Sequence, residues 1–476
     1  MTSHAALEPA ASPTVAARLD LVVQGGVPRG AVSVPGDKSL SHRALLFAGL
    51  AAGESRLDGL LHGGDAAATV GVLRGLGVQV EELDGPASVR VFGAGLDGLR
   101  EPSAPLDCVR SGTTMRLLTG ILAGRPFTSV LTGDPQLLRR PMRRVLAPMA
   151  ALGAQVLGRA QDTLAPFALR AGAGPNGVGL VGRRFELQVA SAQVKSAILL
   201  AGLQADGVTE VVEPALSRDH TERMLAALGT PMERDGLTVR VRRLQRPWSG
   251  FAFRVPGDPS SAAFLLGAAS IVPGADVQVD DVCLNPTRTA FLDVLRRAGA
   301  TVEIVGRGER LGEPVGDVRV RGPGAGGRLR GVEVQGAEVP ALIDEVPLLA
   351  VVLAHAEGPS RIRDAGELRV KESDRISSVV AGLAALGASV DELPDGMTLQ
   401  GGGLRVAAAG DGDVARPRWA DSVGDHRLAM AFAIAGLPQG VVVGVRDAAC
   451  SDDSFPGFAG KLRELGLDLA AVAGHD

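Results

Sequence analysis

Six times along this chain a polar turn runs into an Ala- and Leu-rich stretch that ends near a glycine: Ser39 to Gly53, Ser111 to Gly124, Ser191 to Gly202, Asp258 to Gly267, Asp344 to Gly358 and Asp425 to Gly436. Each is apolar nearly all round after its first turn, the pattern of a helix buried on every side. Each is followed by a second helix that closes on a glycine and leads into a strand: Leu76-Gly77-Val78, Leu152-Gly153-Ala154, Leu228-Gly229-Thr230, Ala298-Gly299-Ala300, Leu386-Gly387-Ala388 and Leu465-Gly466-Leu467. Glycine is the usual residue just past a helix because it enters the left-handed region without a Cβ penalty. From buried-helix start to closing glycine the distance stays between 38 and 43 residues. Self-similarity on this scale restricts the fold more than any single motif.

Short Val-rich alternating runs lie between these helices, such as Ser88-Val89-Arg90-Val91-Phe92 and Leu237-Thr238-Val239-Arg240-Val241. Each unit therefore reads as a mixed αβ motif of about 70 to 85 residues, one buried and one amphipathic helix on a small sheet. A chain of 476 residues exceeds what one core usually organises, so two domains of roughly 200 to 250 residues, three units apiece, are expected. The run Val34-Pro35-Gly36-Asp37-Lys38-Ser39 returns as Val255-Pro256-Gly257-Asp258-Pro259-Ser260. Two matching turns suggest a pair of crossovers forming a hinge at 34–36 and 255–257. One domain would then be 34–255, and the other, discontinuous, 18–33 plus 256–476. Residues 1–17, rich in Ala, Pro, Ser and Thr, read as a disordered tail and not a signal peptide.

The net charge of −4 excludes a generally basic, nucleic-acid-coating protein, and with aromatics at 3% and no Tyr there is no stacking surface for bases. Any anion site must be built locally. Cys108, Cys283 and Cys450 are widely spaced and form no CxxC pair, which fits a reducing compartment and gives no sign of a metal site. No run of 18 apolar residues occurs, so no membrane span is expected.

If six buried helices share an orientation, their N-terminal turns converge, and free N–H groups with the positive end of the macrodipole favour anions there. The polar residues at those starts are Lys38, Ser39 and Arg43; Ser111, Gly112, Thr113, Thr114 and Arg116; Ser191, Ala192, Gln193 and Lys195; Asp344 and Glu345; and Asp425, His426 and Arg427. Ser39 reads as the N-cap of the first. Two loops add cations, Leu138-Arg139-Arg140-Pro141-Met142-Arg143 and Arg369-Val370-Lys371-Glu372-Ser373-Asp374-Arg375. On a helix, Lys371 and Arg375 would share a face while Glu372 points about 100° away. That loop reads either as a surface salt-bridge helix or as a site in which a carboxylate among cations relays a proton.

Seven motifs in order, PGDKSLSHRALL, SGTTMRLL, LLRRPMRRV, SAQVKSAILLAGL, LIDEVPLLAV, LRVKESDRI and GDHRLAMAFAIAGL, resemble those of the 5-enolpyruvylshikimate-3-phosphate synthase family. The likeness covers the chain from about Leu19 to Leu469, and Ser217-Arg218-Asp219-His220-Thr221 is similar to the divergent bacterial class. The resemblance implies a two-domain inside-out α/β barrel, six βαβαββ-type repeats with the active site in the interdomain cleft. It implies a cytoplasmic, monomeric transferase, with neither metal nor cofactor, acting in aromatic amino acid biosynthesis. The enolpyruvyl group of phosphoenolpyruvate moves to the 5-hydroxyl of shikimate 3-phosphate by addition and elimination, releasing phosphate. Lys38, Ser39, Arg43, Ser191, Ala192, Gln193, Arg218, Asp344 and Lys371 would bind shikimate 3-phosphate. Lys38, Gly112, Arg140, Gln193, Arg375 and Arg427 would bind phosphoenolpyruvate. Asp344 would take the hydroxyl proton, Glu372 serve the methyl proton, Lys38 attend the leaving phosphate, and His426 help position the site. Gly112 implies a pocket that admits glyphosate.

Three positions depart from the family pattern: Arg110 stands where Asn is usual, Asp453 where some members have Lys, and Ala192 where many have Ser. Arg110 would add a cation near phosphoenolpyruvate. The sister transferase acting on UDP-N-acetylglucosamine is disfavoured because Leu131 to Met142 contains no Cys. A non-catalytic anion-binding scaffold is disfavoured because Lys38, Asp344 and Glu372 are all present.

Overall fold

The computed structural model describes residues 19–173, 179–405 and 416–473; the expected tail at 1–17 lies outside them. All six buried helices form, at Lys38–Leu50, Gly112–Leu122, Ala192–Gly202, Pro259–Ile271, Val346–Ala354 and His426–Ala433. The six glycines that close the companion helices have φ between +81° and +114°, the region only glycine enters freely.

The strands form six four-stranded sheets among the described residues. The second unit shows the plan: Leu106–Asp107 runs parallel to Ser129–Thr132, which pairs antiparallel with Leu164–Ala171, itself antiparallel to Ala154–Gly158. Alternation orients each strand, as where Val239 and Val241 are buried while the intervening Arg240 pairs with Glu210. The last sheet takes its antiparallel centre from the beginning of the chain, since Leu19–Gly25 lies between Val443–Arg446 and Asp468–Ala473.

Two sheets exchange a strand. Arg29–Ser33 precedes the first Val-Pro-Gly turn but pairs with Asp276–Cys283, beyond the second. Ala252–Arg254 precedes the second turn but pairs with Ala52–Asp58, beyond the first. Each turn thus carries the chain from one apolar core to the other. One core gathers side chains from Leu40 to Val255 together with Cys283; the other gathers Leu21, Val23 and Val32 with Ala262 to Leu469. The crossing segments bond to each other, Asp37 N–H to Pro256 O at 2.8 Å and Asp258 N–H to Pro35 O at 2.9 Å.

The first helix corrects one expectation. Its N-cap is Asp37 and not Ser39: the Asp37 carboxylate accepts the Leu40 N–H at 2.7 Å, and the helix begins at Lys38. Asp caps as well as Ser, and the crossing turns place it there. No helix among the described residues is long and apolar enough to cross a membrane.

The second and third buried helices pack closely at Gly120, where a Cβ would lie 2.1 Å from Ala197 O. Gly120→Ala should therefore force the helices apart and destabilise by about 1–3 kcal/mol. Gly71 lies in the helix Gly64–Gly75 with open space around its Cα, and Gly71→Ala should stabilise by roughly 0.5–1 kcal/mol. Thermal melts of the two variants should move in opposite directions.

Candidate active site

The buried helices bring most of the expected polar residues to the seam between the two cores. Their centre is a chain of ion pairs. Arg218 donates to Asp344 Oδ2 at 2.5 Å, Asp344 Oδ1 lies 3.5 Å from Arg375, Arg375 donates to Glu372 at 2.7 Å, and Glu372 accepts from Arg140 at 3.1 Å. Arg427 joins it, 3.6 Å from the Asp344 carboxylate and 3.2 Å from its carbonyl oxygen. Arg375 is buried and is oriented by Asp425, which accepts from its Nε at 2.8 Å. Asp425 also caps the helix His426–Ala433. Arg140 and Arg218 come from the first core's half of the chain, and their carboxylate partners from the other.

Burial alone would raise both carboxyls. For Asp344 the charges of Arg427, Arg218, Lys371 and Arg375 outweigh it, and for Glu372 those of Arg375 and Arg140 do. Both groups are held well below the usual carboxylate range and are ionised. Burial lowers the His426 pKa to about 3, with Arg427, Lys38 and Arg375 pushing the same way. His426 is a neutral imidazole at neutral pH.

The loop around Glu372 is not the helix that the spacing suggested. Gly366–Val370 is a 3-10 turn, and the following helix begins only at Arg375, capped by Asp374. Asp374 takes the Ile376 and Ser377 N–H groups, so Lys371 and Glu372 stay in the bend that precedes the helix. Lys371 still lies near Asp344, though burial lowers its pKa. Lys38 pairs through Nζ with Asp65, at the start of the helix Gly64–Gly75. Gln193 accepts from Arg116 at 2.6 Å and donates to Thr113 Oγ1 at 2.9 Å. A Cβ on Gly112 would lie 2.9 Å from Arg116 Nη1 and 3.4 Å from Arg140 Nη1, so bare backbone faces two guanidiniums. Ser191 and Ala192 begin the third buried helix, where the Ser191 hydroxyl makes no capping bond.

Several expected residues already have protein partners. Arg43 is buried, donating to Thr221 Oγ1 at 2.7 Å, Ser196 Oγ at 3.0 Å and the Ser39 carbonyl at 3.0 Å. Lys195 points away from the seam, fully buried between Glu213 and Glu222 at 2.7 and 2.6 Å. Arg110 adds no free cation: it pairs with Asp134 at 3.1 Å and with Asp453 at 3.4 Å. The two unusual residues thus answer one another across the seam. His220, Cys283 and Glu313 also come together, with ligand atoms within 4.8 Å, a cluster that their sequence separation hides. Hydrogen bonds occupy its His and Glu, with His220 Nδ1 2.9 Å from Glu313 and Asn285 donating to Glu313 at 3.0 Å. Asp65 and Arg116 also enter the site without having been assigned a role; a helix start after Gly63-Gly64 was the available signal for Asp65.

The EPSP synthase (3-phosphoshikimate 1-carboxyvinyltransferase) family model matches residues 23–462. The chain belongs to the EPSP synthase family. Proteins named 3-phosphoshikimate 1-carboxyvinyltransferase from Desulforamulus reducens and Pelotomaculum thermopropionicum are 49% and 50% identical to it, each over 92% of this chain and 97% of the relative. The solved EPSP synthase of Acinetobacter baumannii superposes with a TM-score of 0.82 at 37% identity, covering 95% of this chain and 100% of that one. An EPSP synthase is a transferase of aromatic amino acid biosynthesis that moves the enolpyruvyl group of phosphoenolpyruvate to shikimate 3-phosphate, and the two-domain α/β fold is that of the solved relatives.

Burial lowers the pKa of His42 and His355 to about 4 and of His426 to about 3. An unfolded histidine takes up its proton near pH 6.5, before these do. Their contribution to stability is therefore complete above about pH 6.5 and is lost as pH falls toward 4. Chemical denaturation midpoints should be level from pH 7 to 8 and fall below 6.5, and His355→Gln should flatten that slope. In the pH dependence of kcat, His426→Asn should remove no inflection between pH 5 and 8.

Proposed function

We propose that the ion-pair chain at the seam is where this EPSP synthase binds both substrates and carries out the transfer. The observation that supports this most directly is the continuity of Arg218, Asp344, Arg375, Glu372 and Arg140, linked without a break between the two halves. Carboxylates occupy the arginines here, and substrate phosphates and carboxylates would exchange with them, since bidentate guanidinium contacts suit both anions. Shikimate 3-phosphate would be held by Lys38, Ser39, Arg43, Ser191, Ala192, Gln193, Arg218, Asp344 and Lys371. Phosphoenolpyruvate would be held by Lys38, Gly112, Arg140, Gln193, Arg375 and Arg427, in a pocket that also admits glyphosate.

The electrostatics suit the two carboxylates to different work. Asp344 is ionised and is the base for the 5-hydroxyl proton as that oxygen attacks C2 of phosphoenolpyruvate. Glu372 is held ionised by Arg375 and Arg140, the two arginines that phosphoenolpyruvate would engage. With their charge shared by the substrate, burial raises the Glu372 pKa, and the group takes a proton to deliver to the methylene carbon. In the elimination half it removes a methyl proton as phosphate departs, attended by Lys38, which leaves Asp65 to bridge the substrates. His426, neutral, orients neighbours and is not the acid. We further propose that 34–36 and 255–257 are the hinge between a domain of 34–255 and one of 18–33 plus 256–476. Three unpaired cysteines, Cys108, Cys283 and Cys450, fit a cytoplasmic setting, in which we read the chain as a monomer.

Phosphate release on mixing the chain with both substrates, compared with either alone, tests this reading. Lys38→Met and Glu372→Ala should each lower turnover by about 10²-fold or more, measured on protein that circular dichroism shows to be folded at the assay temperature. Near-native rates in either would overturn the assignment. Millimolar glyphosate should inhibit in competition with phosphoenolpyruvate, and full activity there would show that the pocket around Gly112 differs.

A further inference from the structure

Arg288 lies outside the ion-pair chain, yet it occupies the point where the two Val-Pro-Gly turns cross. Its side chain is 2% exposed. One guanidinium nitrogen donates to Asp37 Oδ2 at 2.8 Å; another donates to Asp258 Oδ1 at 3.0 Å and Ser260 Oγ at 2.9 Å. The two carboxylates begin the two helices that leave the crossing. Asp37 Oδ1 accepts the Leu40 N–H at 2.7 Å, and Asp258 Oδ1 the Ser260 N–H at 2.8 Å. Asp258 reaches across as well, its Oδ2 accepting the backbone N–H of Lys38 at 3.0 Å.

We propose that Arg288 is a positioning residue for the transfer reaction: by holding Asp37 and Asp258 together it fixes the first turn of the helix Lys38–Leu50, and with it the place of the Lys38 ammonium. The inference rests on the substrate role given to Lys38 above. Only a planar fork reaches both carboxylates at once; an ammonium in the same place satisfies one and leaves the other buried. Burial would lower the Arg288 pKa, but Asp37 and Asp258 hold it well above the ordinary value, so the clamp is charged at every working pH. His220 supports its far side, with Nε2 3.5 Å from Arg288 Nη1 and Nδ1 2.9 Å from Glu313. If Nε2 accepts from Arg288, Nδ1 carries the proton donated to Glu313. The clamp also reaches the opposite wall, because Ser260 Oγ donates to Glu345, which neighbours Asp344 and lies 3.7 Å from Arg427.

A kinetic cycle on the full chain separates positioning from mere structural support. Arg288→Lys should lower kcat by about ten- to a hundredfold, the scale of a misplaced catalytic group, with smaller changes in the KM of either substrate. Lys38→Arg keeps the cation but shifts it, and the double variant should be no slower than Lys38→Arg alone, since both changes act through one atom. Losses that multiply in the double variant, or a wild-type kcat in Arg288→Lys, overturn the proposal. Should Arg288→Lys not fold, Asp258→Asn, which removes one acceptor of the same clamp, enters the cycle in its place with the same two outcomes. A Lys38→Met enzyme that retained turnover would instead refute the substrate role of Lys38, a result distinct from failure of the Arg288 cycle.

Discussion

The architecture depends on the double crossing of the chain between its two cores. Each Val-Pro-Gly turn delivers a strand to one sheet and starts a helix in the other core, and the turns hold each other by two backbone hydrogen bonds. Proline sets φ and lacks an N–H, while glycine lets the neighbouring backbone pass close; a Cβ on Gly36 would stand 1.9 Å from Gly59 O. The crossing is also where the first buried helix begins. The turns that link the two cores therefore also set Lys38 at the seam.

Around that anchor the protein concentrates charge in a chain that is nearly neutral overall. Burying an arginine or a carboxylate is expensive unless each finds a partner, and breaking a buried pair costs about 3–5 kcal/mol because it strands the remaining charge. The seam meets this demand by alternating signs from Arg218 through Asp344, Arg375 and Glu372 to Arg140. The arginines, drawn from both halves of the chain, are thereby held in place by carboxylate partners. Opposed effects also set the protonation states: burial raises Glu372 and lowers His426, but neighbouring cations reverse the first and reinforce the second.

Much of this was legible along the chain wherever local physics decides structure. The six closing glycines adopt the left-handed backbone that helix ends need, and Val239 and Val241 alternate inward as their strand requires. Less could be read where alternatives are locally equal. Asp37 and Ser39 cap equally well, and the crossing turns chose Asp37. Lys371 and Arg375 have helical spacing, but Asp374 starts the helix after them. Lys195 and Arg43 stand at helix starts like Lys38, yet the helix rotation turns Lys195 between two glutamates and Arg43 toward Thr221 and Ser196.

The amino-acid order by itself determined the repeated units, their glycine punctuation, the paired turns and the stock of cations and carboxylates, because periodicity, capping and turn chemistry act over a few residues. Only the tertiary structure decided which charges meet. Arg110 with Asp453, Lys38 with Asp65 and Arg288 with both crossing aspartates are partnerships between distant or rotated segments. Coulomb attraction and desolvation depend on distance in space and on burial, and neither quantity exists until the cores have packed.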